Sequence, residues 1–522
     1  MVVILVMSSL LGTLPSSHAD DPPPVNRLDP ESIPKYVELL VIPPAMEPIG
    51  AGDDGIMEYE IAVRRFEQQV LPAGFPKTTV FGYGRAGDPL PGGEAASTFN
   101  FPAFTLEART SEPMRVTWYN QLVDDPDSDQ PAYLPHLLPV DQTLHWANPG
   151  GHGEMRGHSQ EPYTGPVPII AHLHGGHTPS VSDGLPEAWY MPAAGDIPGE
   201  FLTQGADYGS VSKAPAGAAV FEYPNDQRAA TLWYHDHVLG MTRLNVYAGM
   251  AGFYLLRDEI EDSLNLPGPA PALGDPAGTK YYEIPIAIQD RSFNEDGSLF
   301  YPDSRTFFDE YPGPYFPEGT VPPIWNPEFF GDTIVVNGRT WPYLEVEPRL
   351  YRLRFLNGTN SRFLLLKADS DLPFHVIGTE GGLLPDQPVV LDQLLIGPGE
   401  RFDTIVDFSA FQPGDQITLL NLGPDEPFGG LPVEEPADPE TTGQVMQFRV
   451  VELTGEGNMG EIPTELPAIE RLVTDLPERD VTLNEEMTDE EDMEDAVPVA
   501  AVLGTGADGP LAWDVAITEN PM

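Results

Sequence analysis

The 522-residue sequence contains no cysteine and little positive charge. Without cysteine, the chain can form no disulfide bond and offers no thiolate as a nucleophile or a metal ligand. Acidic residues outnumber basic residues 81 to 26, which gives a formal net charge of −55. Because such a surface repels nucleic acid and anionic membranes, neither is expected as a partner.

Lysine is scarce even among the few basic residues, with only five in the chain. An acid-rich, lysine-poor composition is typical of a protein that works in concentrated salt, where ions screen the repulsion between carboxylates. We therefore hold a salt requirement as a hypothesis. Unfolding at low salt but not at molar salt would support it, and salt-independent stability would exclude it.

The sequence has no apolar run long enough to span a membrane. Its first residues, "MVVILVMSSLLGTLPSSHA", combine a short apolar core at 2–14 with a small-residue cleavage site at Ser17, His18 and Ala19. This pattern predicts a secretory signal over 1–19, and hence a secreted, periplasmic or cell-surface protein. No basic residue precedes the apolar core, and an N-terminal strand is the alternative interpretation.

Proline (59) and glycine (51) are abundant, which favours short strands joined by turns over long helices. Alternating segments such as "YEIAVRRF", "MRVTWYN" and "ATLWYHDH" predict an all-β protein built from Greek-key sandwiches or barrels. The predicted units are a first β-domain over 20–261, a linker over 262–280 and a second β-domain over 281–455. Residues 456–522 are expected to be a linker and the start of a third unit.

The two predicted domains contain similar segments. "FTLEARTSEPMRVTWYN" (104–120) parallels "PYLEVEPRLYRLRFLN" (342–357). "AHLHGG" (171–176) follows in the first domain where "FHVIGTEGG" (374–382) follows in the second. This similarity predicts a duplicated β-domain. Convergent strand patterning is the alternative.

Four of the 11 histidines form two His-x-His pairs, His172 with His174 and His235 with His237. Because side chains alternate along a strand, the members of each pair share one face, together with Trp233 in the second pair. Imidazole binds zinc, copper, iron and nickel, and a set without thiolate or carboxylate favours copper or zinc. Hydrogen-bonded core histidines are the alternative interpretation.

The longer motifs around these pairs resemble those of a known family. "AHLHGGHTPSVSDGLPEAWY" (171–190) and "TLWYHDHVLGMTRLNVYAGMAGFYLLRD" (231–258) resemble the first two copper motifs of the multicopper oxidases, nearest to the spore-coat laccases and bilirubin oxidases. "DRSFNEDGSLFYP", "VVNGRTWPYLEVEP" and "GLLPDQPVVLDQLLIGPGERFDTIVDF" resemble the copper-free second domain of that branch. The resemblance covers about residues 35 to 522.

The resemblance implies tandem cupredoxin-like domains and copper as the cofactor. In the family, a blue copper takes electrons from a small-molecule reductant such as a phenol, and a trinuclear cluster reduces dioxygen to water. By motif position, His172 would bind the type 2 copper, and His174, His235 and His237 would bind the type 3 coppers. Asp183 matches a residue proposed to relay protons, although an Asp before a glycine is also typical of a turn.

The sequence lacks the copper motifs that the family carries in its third domain. The family's His-Pro-x-His-x-His and His-Cys-His motifs are absent, and no histidine follows His375. A blue copper site needs a cysteine thiolate, so the chain holds half of the trinuclear ligands and no blue site. We expect a truncated member, inactive alone, that has two complete domains and the start of a third. The alternatives are a non-catalytic copper-binding or structural relic, and one half of an enzyme completed by a partner chain.

Overall fold

The computed structural model describes ten ranges with gaps between them and a short eleventh segment near the end of the chain. These are 26–93, 95–150, 162–211, 214–276, 278–311, 321–455, 457–471, 473–478, 480–488, 496–505 and 509–510. The predicted signal at 1–19 lies outside the described residues and stays a prediction. Residues 489–495, 506–508 and 511–522 also lie outside them.

The described residues up to 261 form two β-sheets that pack face to face. Their strands are β1 (Gly50–Ala51), β2 (Met57–Gln68), β3 (Thr78–Arg85), β4 (Ala103–Arg109), β5 (Met114–Asn120), β6 (Ala171–His174), β7 (Ala218–Tyr223), β8 (Ala230–Asp236) and β9 (Ala251–Arg257). One sheet has the order β1-β2-β5-β7, with β3 also paired to β2, and the other has the order β4-β9-β8-β6.

An aromatic cluster joins these two sheets. In β5, buried and half-buried residues alternate, which directs Trp118 inward as the strand pleat requires. The rings of Tyr83 and Trp118, from the first sheet, lie 5.5 and 5.2 Å from the ring of Tyr234, from the second sheet. The pairs are edge-to-face or tilted, the arrangements that aromatic rings prefer.

The described residues between 283 and 450 form a second pair of sheets. Their strands are β10 (Glu283–Phe293), β11 (Leu299–Phe300), β12 (Thr333–Val336), β13 (Arg339–Thr340), β14 (Tyr343–Val346), β15 (Leu350–Asn357), β16 (Leu364–Ala368), β17 (Phe374–Thr379), β18 (Gly382–Leu383), β19 (Val389–Leu391), β20 (Leu394–Ile396), β21 (Arg401–Asp407), β22 (Gln416–Asn421) and β23 (Gln444–Val450). One sheet has the order β13-β12-β10-β15-β21-β17-β18, with β11 paired to β10 and β19 to β17. The other sheet has the order β14-β23-β22-β16-β20.

The strand pairing repeats between the two halves, as the duplication hypothesis requires. β2 pairs in parallel with β5 and β4 with β9, and in the second half β10 pairs in parallel with β15 and β14 with β23. The similar segments at 104–120 and 342–357 are therefore equivalent, since they supply β4–β5 and β14–β15. The second proposed equivalence is wrong, because "AHLHGG" forms β6 in the sheet of β8 and β9, whereas "FHVIGTEGG" begins with β17, which pairs with β21. The counterpart of β6 is β16, because β16 pairs with β22 as β6 pairs with β8.

Helices are short and few in the described ranges. They are α1 (Thr242–Ala248), α2 (Glu259–Ser263) and α3 (Thr306–Asp309), with 3₁₀ turns at Pro30–Ser32, Ser180–Ser182 and Tyr208–Ser210. α1 ends at Gly249, where φ is 132° and a Cβ atom would lie 2.0 Å from the Phe81 carbonyl oxygen, so the turn into β9 needs glycine. No described helix is both long enough and apolar enough to cross a bilayer.

A third, smaller sheet follows the second pair. It consists of β24 (Val481–Met487), β25 (Pro498–Thr505) and β26 (Gly509–Pro510), in that order. Apolar side chains on β24 are uncovered by the described residues, with Val481 65% and Leu483 88% exposed. That this sheet begins a third cupredoxin domain stays a prediction, as do the predicted domain boundaries.

A buried network of charges joins the two halves where β9 and α2 meet β10, β15 and β21. Arg257 donates to Glu261 (2.9 Å) and Glu283 (2.6 Å). Arg354 donates to the same two carboxylates, at 3.1 and 2.7 Å. Arg352 lies against Glu261 and also forms a two-point pair with Asp403, and all six residues of this network are less than a tenth exposed.

These arginines keep the buried carboxylates ionised. Burial alone would raise the pKa of Glu283, but the guanidinium groups of Arg257 and Arg354 outweigh burial and lower this pKa to about 2. Burial opposes ionisation of Glu261 in the same way, and the arginines hold its pKa well below the usual range. The network therefore consists of fully charged partners that stabilise one another.

Replacing one carboxylate of this network should destabilise the chain strongly. We expect Glu283→Gln to lower the free energy of unfolding by about 3–5 kcal/mol, because it leaves buried guanidinium charge without its partner. The matched control is Asp262→Asn, which removes an exposed partner of Arg109 and should change the free energy of unfolding by about 0–1 kcal/mol. Urea unfolding at neutral pH measures both, and equal losses would contradict the assigned role.

The same carboxylate should make stability depend on pH. Because the folded-state pKa of Glu283 is below its ordinary value of about 4.3, its contribution is complete above that pH and disappears as the pH falls towards 2. We expect the wild-type chain to lose more free energy of unfolding than Glu283→Gln between about pH 5 and pH 3. Parallel curves for the two proteins would contradict this assignment.

Candidate metal centre

The pairing of β6 with β8 brings the two His-x-His pairs together. The two strands are antiparallel, with His172 opposite His235 and His174 opposite Trp233. His237 follows the last residue of β8, and its backbone N–H donates to the Ile170 carbonyl oxygen at 2.9 Å. Directly opposed side chains of antiparallel strands lie about 4.5–5.5 Å apart at Cβ, which is close enough for imidazole rings to share ligands.

The four imidazole rings converge on one region. The ring centroid of His172 lies 5.9, 5.4 and 4.8 Å from those of His174, His235 and His237. The Nδ1 atom of His174 lies 3.3 Å from the Nε2 atom of His235. One ligand atom each from His172, His174 and His235 lie within 4.8 Å of one another, a spacing that can hold a metal ion. His237 stands outside this triad, with its ring 5.8 Å from that of His235.

Backbone carbonyl groups orient two of the rings. His172 Nδ1 lies 2.5 Å from the Asp183 carbonyl oxygen, and His235 Nδ1 lies 2.7 Å from the Asp236 carbonyl oxygen. A carbonyl oxygen can only accept, so each Nδ1 carries the proton and donates it. The Nε2 atoms are then the unprotonated ones, with lone pairs available to a metal.

Asp183 reaches His172 through its backbone as well as its side chain. It follows the 3₁₀ turn Ser180–Ser182 and precedes Gly184, whose φ is 76° and where a Cβ atom would lie 2.1 Å from the Ala171 carbonyl oxygen. The Asp183 carboxylate oxygen lies 3.5 Å from His172 Nδ1 and accepts a hydrogen bond from the Thr178 hydroxyl at 2.5 Å. The structure thus shows the turn that was the alternative interpretation of Asp183 and also places its carboxylate beside His172.

Burial keeps three of the imidazoles neutral. Burial lowers the pKa of His174 and of His237 to about 4 and that of His235 well below the usual range, and the Arg401 charge adds to this effect at His174. A metal ion binds neutral imidazole, so these three rings are in the binding form at neutral pH. Trp233 stacks on His174 at 5.2 Å between ring centroids and shields one side of the group.

Behind the histidines, Asp236 faces the opposite side of β8 and is completely buried. Its carboxylate accepts from the backbone N–H groups of Ile170 and Val238 at 3.1 Å each and from the Asn245 side chain at 2.8 Å. Burial raises the pKa of Asp236 to about 7. The alternation of the sequence places Asp236 on this face, but the sequence offered no signal for Asn245, which lies on α1.

The histidines lie at the wall of a cleft of about 470 Å³ between the two halves. Its opposite wall comes from loops of the second half, including Gly358 and Gly399. A Cβ atom on Gly399, where φ is 83°, would lie 3.3 Å from the His174 ring, so glycine lets this loop approach the candidate ligands. Sequence reasoning missed this wall, because loops far apart in sequence form it.

The other histidines of the described residues lie elsewhere. His177, three residues after His174, is mostly exposed and faces Asp226. His375 lies on β17 and His136 is hydrogen-bonded to Asn245. His152 and His158 lie outside the described residues.

Comparison with known proteins gives relatives over most of the chain. No protein-family model matches it. It is 38% identical over 416 residues to a laccase of Bacillus stratosphericus, covering 80% of this chain and 66% of that protein. It is 36% identical over 417 residues to a laccase of Bacillus subtilis strain 168, covering 80% of this chain and 65% of that protein. The chain thus spans about two thirds of the length of these relatives.

The solved structures agree on the fold. The crystal structure of a multicopper oxidase from the hyperthermophile Aquifex aeolicus superposes with a TM-score of 0.55 at 24% identity, covering 86% of this chain and 72% of that one. At this level of identity the likeness establishes the fold alone. It confirms the predicted all-β class with cupredoxin-like sheets.

Proposed function

The chain belongs to the multicopper oxidase family, and from that premise we propose that its two His-x-His pairs bind copper as part of a dioxygen-reducing centre. The observation that carries the proposal is the convergence of four imidazoles from the paired strands β6 and β8 in one cleft. The laccase relatives support an oxidoreductase that accepts electrons from a small molecule.

The donor set fits copper. It consists of imidazole nitrogens, which suit copper or zinc, and lacks the oxygen ligands that magnesium or calcium require. Two nitrogen ligands of one ion at bond lengths of about 2.0–2.1 Å are at most about 4 Å apart. The triad atoms lie within 4.8 Å of one another, close to that limit, and His237 stands outside the triad, so a second ion would account for the fourth ring.

The individual roles that we propose follow the motif positions. His172 would bind the type 2 copper, and His174, His235 and His237 would bind the type 3 coppers. When bound, copper would supply the one-electron steps of dioxygen reduction. The chain itself orients the rings through the carbonyl groups of Asp183 and Asp236 and excludes water from one side with Trp233.

The Asp183 carboxylate is suited to move protons into the cleft. It is 39% exposed, so it can exchange protons with solvent, and it lies 3.5 Å from His172 Nδ1. Dioxygen reduction consumes protons, and a positioned carboxylate beside a ligand histidine can deliver them. We propose Asp183 as that group.

We further propose that this chain alone does not oxidise phenols. Its 522 residues contain no cysteine, so they cannot form a blue copper site, and no histidine after His375 is present to complete the cluster. The missing ligands would have to come from other polypeptide, either joined to this chain or on a partner chain. The face of β24 that the described residues leave uncovered, with Leu483, is a surface on which such polypeptide could pack.

Copper binding by the histidine cluster is directly testable. We expect the purified chain to bind Cu²⁺ and the double variant His172→Ala, His174→Ala to bind it at least about tenfold more weakly, because two of four imidazole donors are gone. The control is His177→Ala, which removes an exposed histidine of the same segment and should bind as the wild type does. Calorimetric titration with excess Mg²⁺, which occupies surface carboxylates, measures the difference.

Unchanged copper affinity in the double variant would contradict the assignment of the ligands. A second readout separates an incomplete oxidase from other functions. The copper-loaded chain should not turn over a phenolic dye, and turnover by the chain alone would contradict the proposed need for further polypeptide. A non-catalytic copper-binding protein is the second candidate, favoured by the absence of cysteine, and would stay inactive when the missing domain is supplied.

A further inference from the structure

The His174 ring differs from its neighbours in what orients it. Carbonyl groups fix the rings of His172 and His235, whereas no carbonyl oxygen accepts a hydrogen bond from the His174 ring in the described part of the chain. Its Nδ1 atom lies 3.3 Å from Nε2 of His235, which is itself a candidate ligand atom. Contacts with neighbouring groups therefore have to hold the His174 ring in place.

Two groups pack against this ring, one from each half of the structure. Trp233, from the first half, stacks on it with 5.2 Å between the ring centroids and 28° between the planes. Gly399 belongs to residues 397–400, which join β20 to β21 in the second half and which we call the Gly399 loop. A Cβ atom on Gly399 would lie 3.3 Å from His174 Cε1 and 3.7 Å from Trp233 Cζ2, so the loop packs beside both rings.

Arg401, the first residue of β21, holds the Gly399 loop to the first half. Its side chain is 1% exposed, and its Nη1 group donates to the Gly399 carbonyl oxygen at 2.9 Å. Its Nε–H crosses to β8 and donates to the Thr231 carbonyl oxygen at 3.0 Å, two residues before Trp233. One guanidinium group thus joins the loop that packs on His174 to the strand that carries Trp233.

The same guanidinium group also lies against the chain directly after His174. A Cβ atom on Gly175, where φ is 87°, would lie 2.6 Å from Arg401 Nη2, so a larger residue at this position would displace the arginine. Glu380 fixes the orientation of the guanidinium group, since its carboxylate accepts from Nη1 at 2.6 Å and its carbonyl oxygen accepts from Nη2 at 3.2 Å.

We propose that Arg401 is a positioning residue for the metal centre, which holds the Gly399 loop against His174 and thereby fixes that ring for copper. This inference rests on the proposed function, because it takes His174 to be a copper ligand. The planar fork of arginine offers five N–H donors and reaches Thr231, Gly399 and Glu380 at once. The single ammonium group of lysine cannot reproduce that arrangement.

Chemical modification of the metal-free chain tests whether Arg401 holds the ring. Diethyl pyrocarbonate attacks neutral imidazole, and tandem mass spectrometry reads the rate at each histidine. We expect Arg401→Lys to raise the rate at His174 at least about threefold, because the loop that covers the ring loses its anchor. The rate at His177, which is mostly exposed, should not change and serves as the internal reference.

The matched control is Arg352→Lys. It alters an arginine that is equally buried between the halves, but whose partners are carboxylates of the interface network and not the Gly399 loop. It should leave the His174 rate at the wild-type value, although it lowers stability. Thermal unfolding of each variant defines a temperature at which all the proteins are folded, and the rates are compared there.

Copper titration of the same variants separates this inference from the proposed function. Arg401→Lys should bind Cu²⁺ about tenfold more weakly than the wild type, as is typical when a group that orients a ligand is lost, and Arg352→Lys should bind as the wild type does. If the wild type binds no copper through its histidines while the His174 rates change as expected, the proposed function is wrong and the role of Arg401 in fixing the ring is supported.

An unchanged His174 rate in Arg401→Lys, or equal increases in Arg401→Lys and Arg352→Lys, would overturn the proposal. If Arg401→Lys does not fold, Glu380→Ala replaces it, because the Glu380 side chain is 48% exposed and its removal loosens the guanidinium group without removing it. This variant should also raise the His174 rate, and an unchanged rate in it would overturn the proposal as well.

Discussion

The antiparallel register of β6 and β8 is the constraint on which the candidate metal centre depends. Side chains alternate between the faces of a sheet, so a slip of either strand by one residue would turn its histidines away from the cleft. Asp236 holds this register. Its carboxylate accepts hydrogen bonds from the backbone N–H group of Ile170, which directly precedes β6, and from that of Val238, which lies two residues after the end of β8. A residue that no metal would touch therefore determines whether His172 and His235 meet.

Buried arginines join the two halves of this strongly acidic chain. Where the halves join, Arg257, Arg352 and Arg354 are matched by buried carboxylates, which fixes the second half against the first. This interface fixes the second half, whose loops supply the wall of the cleft that faces the histidines.

Local patterns in the sequence predicted the strands and the histidine faces well, since alternation depends on neighbouring residues only. The segments at 104–120 and 342–357 were matched correctly for the same reason. The buried charge network could not be predicted, because "LYRLRFLN" alternates arginine with apolar residues and resembles a half-exposed strand. Its partners, Glu261 and Glu283, lie about 70 to 90 positions earlier in the sequence, so only the tertiary structure shows that Arg352 and Arg354 are buried.

X-ray absorption spectroscopy at the copper edge of the copper-loaded chain tests the central claim most directly. A chain with 81 acidic residues can bind copper adventitiously through carboxylates, so the identity of the ligand atoms matters more than the amount bound. The account predicts several imidazole nitrogens around copper, with their characteristic outer-shell scattering, and loss of that scattering in His172→Ala, His174→Ala. A copper shell dominated by oxygen in the wild-type chain would contradict it.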